Sequence, residues 1–131
     1  MNIIERIKTG NWPLLKILGL RFGSKSKKFD ISKDEALKML EDDATLVLDV
    51  RSRKEIEEAP SIVEDAVNID YQGDDFEEKL LKLSKDATYL VTCSGGVRGR
   101  GACLLMEKNG FKSFYNLRGG LKALDGCGTW G

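Results

Sequence analysis

The sequence predicts an α/β domain with a central parallel sheet and helices on both faces. Two runs of apolar and β-branched residues, Thr45–Val50 (TLVLDV) and Thr88–Thr92 (TYLVT), have the continuous hydrophobicity of strands buried on both sides. Segments of helical periodicity alternate with such runs along the chain, and that alternation calls for a parallel sheet. Both runs lead into charged or glycine-rich residues, which places candidate functional groups at the carboxyl edge of the sheet.

At 131 residues the chain has the length of one domain, with 41% hydrophobic and 32% charged residues, a composition of folded globular proteins. Its net charge is zero but unevenly spread: residues 1–28 hold seven Lys/Arg against Glu5 alone, and the rest of the chain is correspondingly acidic. Two parts are therefore expected, a basic, apolar N-terminal extension and linker over 1–28 and the domain proper over 29–131. Histidine is absent, which excludes Ser-His-Asp and Cys-His hydrolase chemistry and histidine-containing zinc sites. The three cysteines, Cys93, Cys103 and Cys127, are odd in number and widely spaced, so neither a disulfide framework nor a C-x-x-C redox or zinc motif is present. These features point to a reducing compartment, the cytoplasm. No secretory signal and no apolar run of about 20 residues are seen, and no metal, cofactor or nucleic-acid signature is found.

Taken in order, Ile3, Ile4 and Ile7 form one apolar helical face, Gly10 and Pro13 interrupt it, and Pro13 opens a second short helix over Leu14–Leu20. Two readings of residues 1–28 stay open: packing against the domain or a second subunit, and contact with a membrane surface. Phe29-Asp30-Ile31 is a short edge strand. Ser32 and Glu35 make a capping box that starts a helix with Ala36, Leu37 and Leu40 turned inward. After strand Thr45–Val50, Ser52 and Glu55 repeat the capping box, and Pro60 stops the helix they open. Ala66–Ile69 is a short strand, residues 74–83 a helix carrying Phe76, Leu80, Leu81 and Leu83, and Thr88–Thr92 the strand that feeds Cys93. A helix over Arg98–Asn109 ends at Asn109-Gly110. The last strand lies within Phe111–Leu117, and Gly119-Gly120 leads into a final helical turn with Leu121 and Leu124.

The chemistry concentrates in Cys93-Ser94-Gly95-Gly96-Val97-Arg98. A thiol at a strand end, before a helix N-terminus and beside backbone N–H groups, meets conditions that favour a nucleophilic thiolate. Two glycines let the backbone curl into an anion nest over Ser94, Gly95, Gly96 and Val97, and Arg98 supplies a planar fork for sulfonate, sulfate or phosphate oxygens. The competing reading is a buried structural cysteine whose glycines serve only the turn. Asp49 and Arg51, at the end of the other central strand, are expected close to this loop. Cys103 reads as core filler. Cys127, in a glycine-rich tail, is either a bystander or a second thiol that acts with Cys93.

Four segments together resemble the single-domain rhodaneses, a sulfurtransferase family: Leu48-Asp49-Val50-Arg51, Ala66-Val67-Asn68-Ile69, the loop CSGGVR, and Tyr115-Asn116-Leu117-Arg118-Gly119-Gly120-Leu121. They occur in family order over roughly 29–124. The resemblance implies a three-layer rhodanese-like fold and a persulfide mechanism. Cys93 would take sulfane sulfur from a small anionic donor, thiosulfate or another persulfide, and pass it to a thiol, a protein acceptor or cyanide. The amides of Ser94–Arg98 would hold the persulfide, Arg98 would orient the donor, and Asp49 and Arg51 would brace the loop or touch substrate. A non-catalytic rhodanese-like binding or regulatory module is the alternative. Phosphatases of the same fold space Cys and Arg by five residues rather than the four found here, which sets sulfur above phosphorus. Gly99 stands where the family often has a serine, and this points to a persulfide rather than thiosulfate as donor.

Overall fold

The computed structural model of the chain describes residues 28–124. Expectations for residues 1–27 and for Cys127 lie outside them. The elements run β1 (Asp30–Ile31), α1 (Lys33–Met39), β2 (Thr45–Asp49), α2 (Arg53–Glu58), β3 (Val67–Asn68), α3 (Phe76–Leu80), β4 (Thr88–Thr92), α4 (Val97–Lys108) and β5 (Ser113–Leu117), followed by a 3-10 turn at Leu121–Leu124. The strands form one sheet in the order β1-β5-β4-β2-β3. Every pairing is parallel, so all strands end at the same edge. The two apolar runs are neighbours, with Asp49 opposite Thr92, and β4 lies at the centre with all five of its residues buried.

Alternation along β4 divides the core between the two faces of the sheet. Tyr89 and Val91 join Leu48 and Val50 of β2, Phe76 and Leu80 of α3, and Ala102, Cys103 and Met106 of α4. Leu90 points the other way, to a cluster of Ala36 and Met39 of α1, Leu117 of β5, and Leu121 and Leu124. Helices therefore cover both faces, as a sheet of strands buried on each side requires.

Both capping boxes form. The Ser32 hydroxyl accepts from the Glu35 amide and the Glu35 carboxylate accepts from the Ser32 amide, and Ser52 and Glu55 repeat the pattern. Two helices differ from expectation. In α1 the buried residues are Ala36 and Met39, Leu40 is half-buried, and Leu37 faces solvent. Apolar residues at 36, 37, 39 and 40 span more than one face of a helix, and only packing on the sheet selects the face that holds 36 and 39. The α3 segment is shorter than 74–83. After Leu80 the amides of Lys82 and Leu83 bond back three residues to Lys79 and Leu80, so the turn tightens, Leu83 returns to the core and Leu81 is left exposed. Among the described residues, no helix is long and apolar enough to cross a membrane.

Candidate active site

Cys93 directly follows β4, at the edge where the strands end, and is 1% exposed. Its Sγ accepts hydrogen bonds from the backbone N–H groups of Gly96 (2.9 Å) and Gly99 (3.3 Å). The chain curls back far enough for this because Gly96, the residue before α4, has φ +98°, a left-handed conformation that other residues rarely adopt. A second glycine turn supports the loop from below. The amides of Leu121 and Lys122 donate to the carbonyls of Cys93 (2.8 Å) and Ser94 (3.1 Å). Gly120, with φ +67°, lies so close that a Cβ there would overlap the Ser94 carbonyl. The cysteine loop and the Gly119-Gly120 segment, separate in sequence, thus form one piece.

A buried polar chain fixes the loop from the β1 side. Asn116 Nδ2 donates to the Gly96 carbonyl (3.1 Å) and to Asp30 Oδ1 (2.8 Å), while Arg100 donates to Asp30 from Nε and Nη2. The other side-chain atom of Asn116, Oδ1, is buried without a partner among the described residues and fills the space a Cβ at Gly99 would need. Gly95 and Val97 form the exposed tip of the loop, and Ser94 is half-buried.

Arg98 stands at the start of α4 but is not free. Its Nη1 and Nη2 donate to the two oxygens of Glu55 at 2.6 and 2.9 Å, a bidentate ion pair joining α4 to α2. Glu55 Oε1 also accepts from the Ser52 amide and hydroxyl, both at 3.1 Å. The Arg98 guanidinium holds the Glu55 carboxyl down at about 2, with the Ser52 contacts adding to the pull against burial. Glu55 in turn raises Arg98 above its ordinary value, and Cys93 and Asp70 contribute in the same direction.

Asp49 and Arg51 are brought together with each other. Arg51 donates to Asp49 from Nε (3.1 Å to Oδ1) and Nη2 (2.9 Å to Oδ2), and both side chains are almost fully buried. Ser61 Oγ donates to Asp49 Oδ2 (2.6 Å), and Asn68 Nδ2 donates to the main-chain carbonyls of Asp49 and Arg51. The Val50 amide donates to the Thr92 carbonyl (2.9 Å), so the network adjoins the root of the cysteine loop. A groove of about 460 Å³ lies between α2 and the segment that follows it, lined by Ile56, Pro60, Ile62 and Val63 among others, apart from Cys93. Cys103 is fully buried in α4, where burial pushes its thiol well up, in keeping with a packing role. No group of side chains suited to a metal ion occurs among the described residues.

Several of these residues carry no sequence signal that marks them as parts of the site. Glu55 was visible only as a helix cap, Gly99 only as a replaced serine, and Asn116 only within a family motif.

The sequence profile of the rhodanese-like domain matches residues 32–126. A tRNA uridine(34) hydroxylase of Pelagibacter ubique (strain HTCC1062) is 38% identical over 106 residues, 79% of this chain and 35% of that protein. The chain thus spans about a third of that relative's length. The putative sulfurtransferase YtwF of Bacillus subtilis (strain 168) is 33% identical over 85 residues, 65% of this chain and 78% of YtwF. Among solved structures, a rhodanese-like domain protein from Staphylococcus aureus superposes with a TM-score of 0.60 at 29% identity, covering 78% of this chain and 90% of that one. A parallel α/β sheet, a cysteine loop at its carboxyl edge and these matches lead to one conclusion: the chain belongs to the rhodanese-like domain family.

Proposed function

We propose that the protein is a sulfurtransferase that carries sulfane sulfur as a persulfide on Cys93. The observation that carries this reading is the pair of amides, Gly96 and Gly99, aimed at Sγ from a loop held on three sides. Preorganised N–H donors of this kind stabilise negative charge on a sulfur without reorganising during the reaction. In the loading step the Cys93 thiolate attacks the outer, sulfane sulfur of the donor. A new S–S bond forms, the donor's own S–S bond breaks, and its electron pair leaves with the donor remnant: sulfite from thiosulfate, or a thiolate from an organic persulfide. In the second step an acceptor thiolate attacks the outer sulfur of the Cys93 persulfide and frees the Cys93 thiolate. Charge and atoms balance in both steps, and neither needs an external oxidant. The sequence holds no histidine, so the amides and the start of α4 carry the charge that a neighbouring imidazolium supplies elsewhere. A small sulfur-donor anion, a thiol or protein acceptor and a reducing cytoplasmic setting complete the proposal.

The test is mass spectrometry of protein incubated with thiosulfate or an organic persulfide. One added sulfur on the peptide holding Cys93, absent in Cys93→Ser, is the expected result. If a demonstrably free Cys93 thiol takes no sulfur from any donor, the chain is a non-catalytic module of the family and the proposal fails. The 38% identical relative favours a second reading, that this chain acts in modifying uridine 34 of tRNA. That reading expects an oxygen gained at uridine 34 in tRNA incubated with the protein, dioxygen and a two-electron reductant, one oxygen atom entering a uridine C–H bond and the other leaving as water, with no sulfur on Cys93.

A further inference from the structure

The loop's cation is already taken. The Arg98 fork is closed on Glu55 by two short charge-assisted bonds. Glu55 cannot easily turn away, because its Oε1 is also held by the Ser52 amide and hydroxyl as part of the α2 capping box. The charge of Asp70, a second carboxylate, also favours the protonated guanidinium. The cation at Arg98 is thus already matched by the Glu55 carboxylate, with the charge of Asp70 adding to the negative field around it. A donor whose recognition depends on a sulfonate must displace Glu55 from the fork or approach an arginine whose charge is already matched, and each route weakens binding of a dianion. An organic persulfide has no sulfonate. It needs the amide nest around Cys93 but not the fork.

We infer that Glu55, by holding Arg98, is a specificity-determining residue that turns the site from sulfonate donors such as thiosulfate toward organic persulfides. The inference rests on the sulfurtransferase reading of Cys93 and assigns its donor class. It also separates the roles of the two charged residues: Arg98 would bind donor oxygens if free, and Glu55 decides how often it is free.

Glu55→Gln tests it. Glutamine at this helix position still completes a capping box, so the fold of α2 is retained while the charge that closes the fork is removed. Loading of Cys93 is followed with thiosulfate and with cysteine persulfide. The variant should gain roughly two- to fivefold in kcat/KM for thiosulfate, chiefly through KM, on the scale of one partly exposed ion pair. Loading from cysteine persulfide should stay within about twofold. Asp70→Asn, which leaves the Glu55–Arg98 pair in place, should move the thiosulfate value in the same direction by less. An unchanged ratio between the two donors in Glu55→Gln overturns the inference. Calorimetric titration with sulfite gives a measure independent of sulfur loading: Glu55→Gln should bind it more tightly than the native protein, and equal affinity counts against the role of Glu55. If neither protein takes sulfur from any donor, the sulfurtransferase reading has failed, and the sulfite comparison still judges Glu55.

Discussion

A Cβ at position 99 would stand where the Asn116 side-chain oxygen already lies. Asn116 cannot easily yield, since its Nδ2 is tied to both Asp30 and the Gly96 carbonyl. Adding one methyl group at position 99 would therefore move the carboxamide, lose one or both of those bonds, and shift the amide that points at Cys93 Sγ. Overpacking of this kind costs about 2 kcal/mol. Gly99→Ala should lower stability to chemical denaturation by that amount, and sulfur loading of Cys93 should slow even in conditions where the variant is fully folded. Unchanged stability would mean that the carboxamide has room to turn, and that Asn116 does not fix the loop. Cys103, a few residues further on, is a contrast: it is fully buried and packed among core side chains, and the same helix holds both kinds of position.

Between elements, the Glu55–Arg98 pair is what joins α2 to the start of α4, and its pH dependence has a definite sign. Glu55 titrates at about 2 in the folded chain, below its ordinary value of 4.5. The folded state therefore favours the carboxylate. The stability this provides is fully present above the ordinary value and is lost as pH falls through that window toward the folded value. The stability difference between the native chain and Glu55→Gln should accordingly be constant near neutrality and shrink below about pH 4.5, as read from denaturant midpoints at several pH values. A difference that persists at low pH would assign the effect to something other than the Glu55 charge. The two roles of Glu55 also explain why only one was legible in the sequence. A capping box is a four-residue pattern, and Ser52 with Glu55 shows it locally. The bond to Arg98 spans 43 residues and leaves no periodic trace. The Cys93 loop was legible for the opposite reason: strand, cysteine, glycines and arginine are contiguous. The inward face of α1 was not, because its apolar residues at 36, 37, 39 and 40 fit more than one rotation of the helix, and packing on β5 and the 3-10 turn decided between them.

Across the whole molecule, the carboxyl edge of the sheet works as a single unit, and Asp49 is where its parts meet. It ends β2, binds Arg51 with both oxygens, takes the Ser61 hydroxyl from the segment after α2, and offers its main-chain carbonyl to Asn68 at the end of β3. One residue on, the Val50 amide bonds to the Thr92 carbonyl beside Cys93, so the bracing reaches the cysteine loop through the sheet backbone. Whether Asp49 and Arg51 serve donor binding or the frame can be decided by separating stability from chemistry. Removing one partner of a buried ion pair typically costs about 3 kcal/mol or more, because the other charge loses its counterpart within low dielectric. Asp49→Ala should therefore lower the unfolding free energy by about 3 kcal/mol. The Ser61 hydroxyl also loses its acceptor in this variant. If the pair belongs to the frame, the fraction that remains folded at low temperature should load Cys93 from cysteine persulfide with a KM close to the native one. A rise in KM with little loss of stability would instead place Asp49 and Arg51 in contact with the donor, and would move the recognition surface from Arg98 to the end of β2.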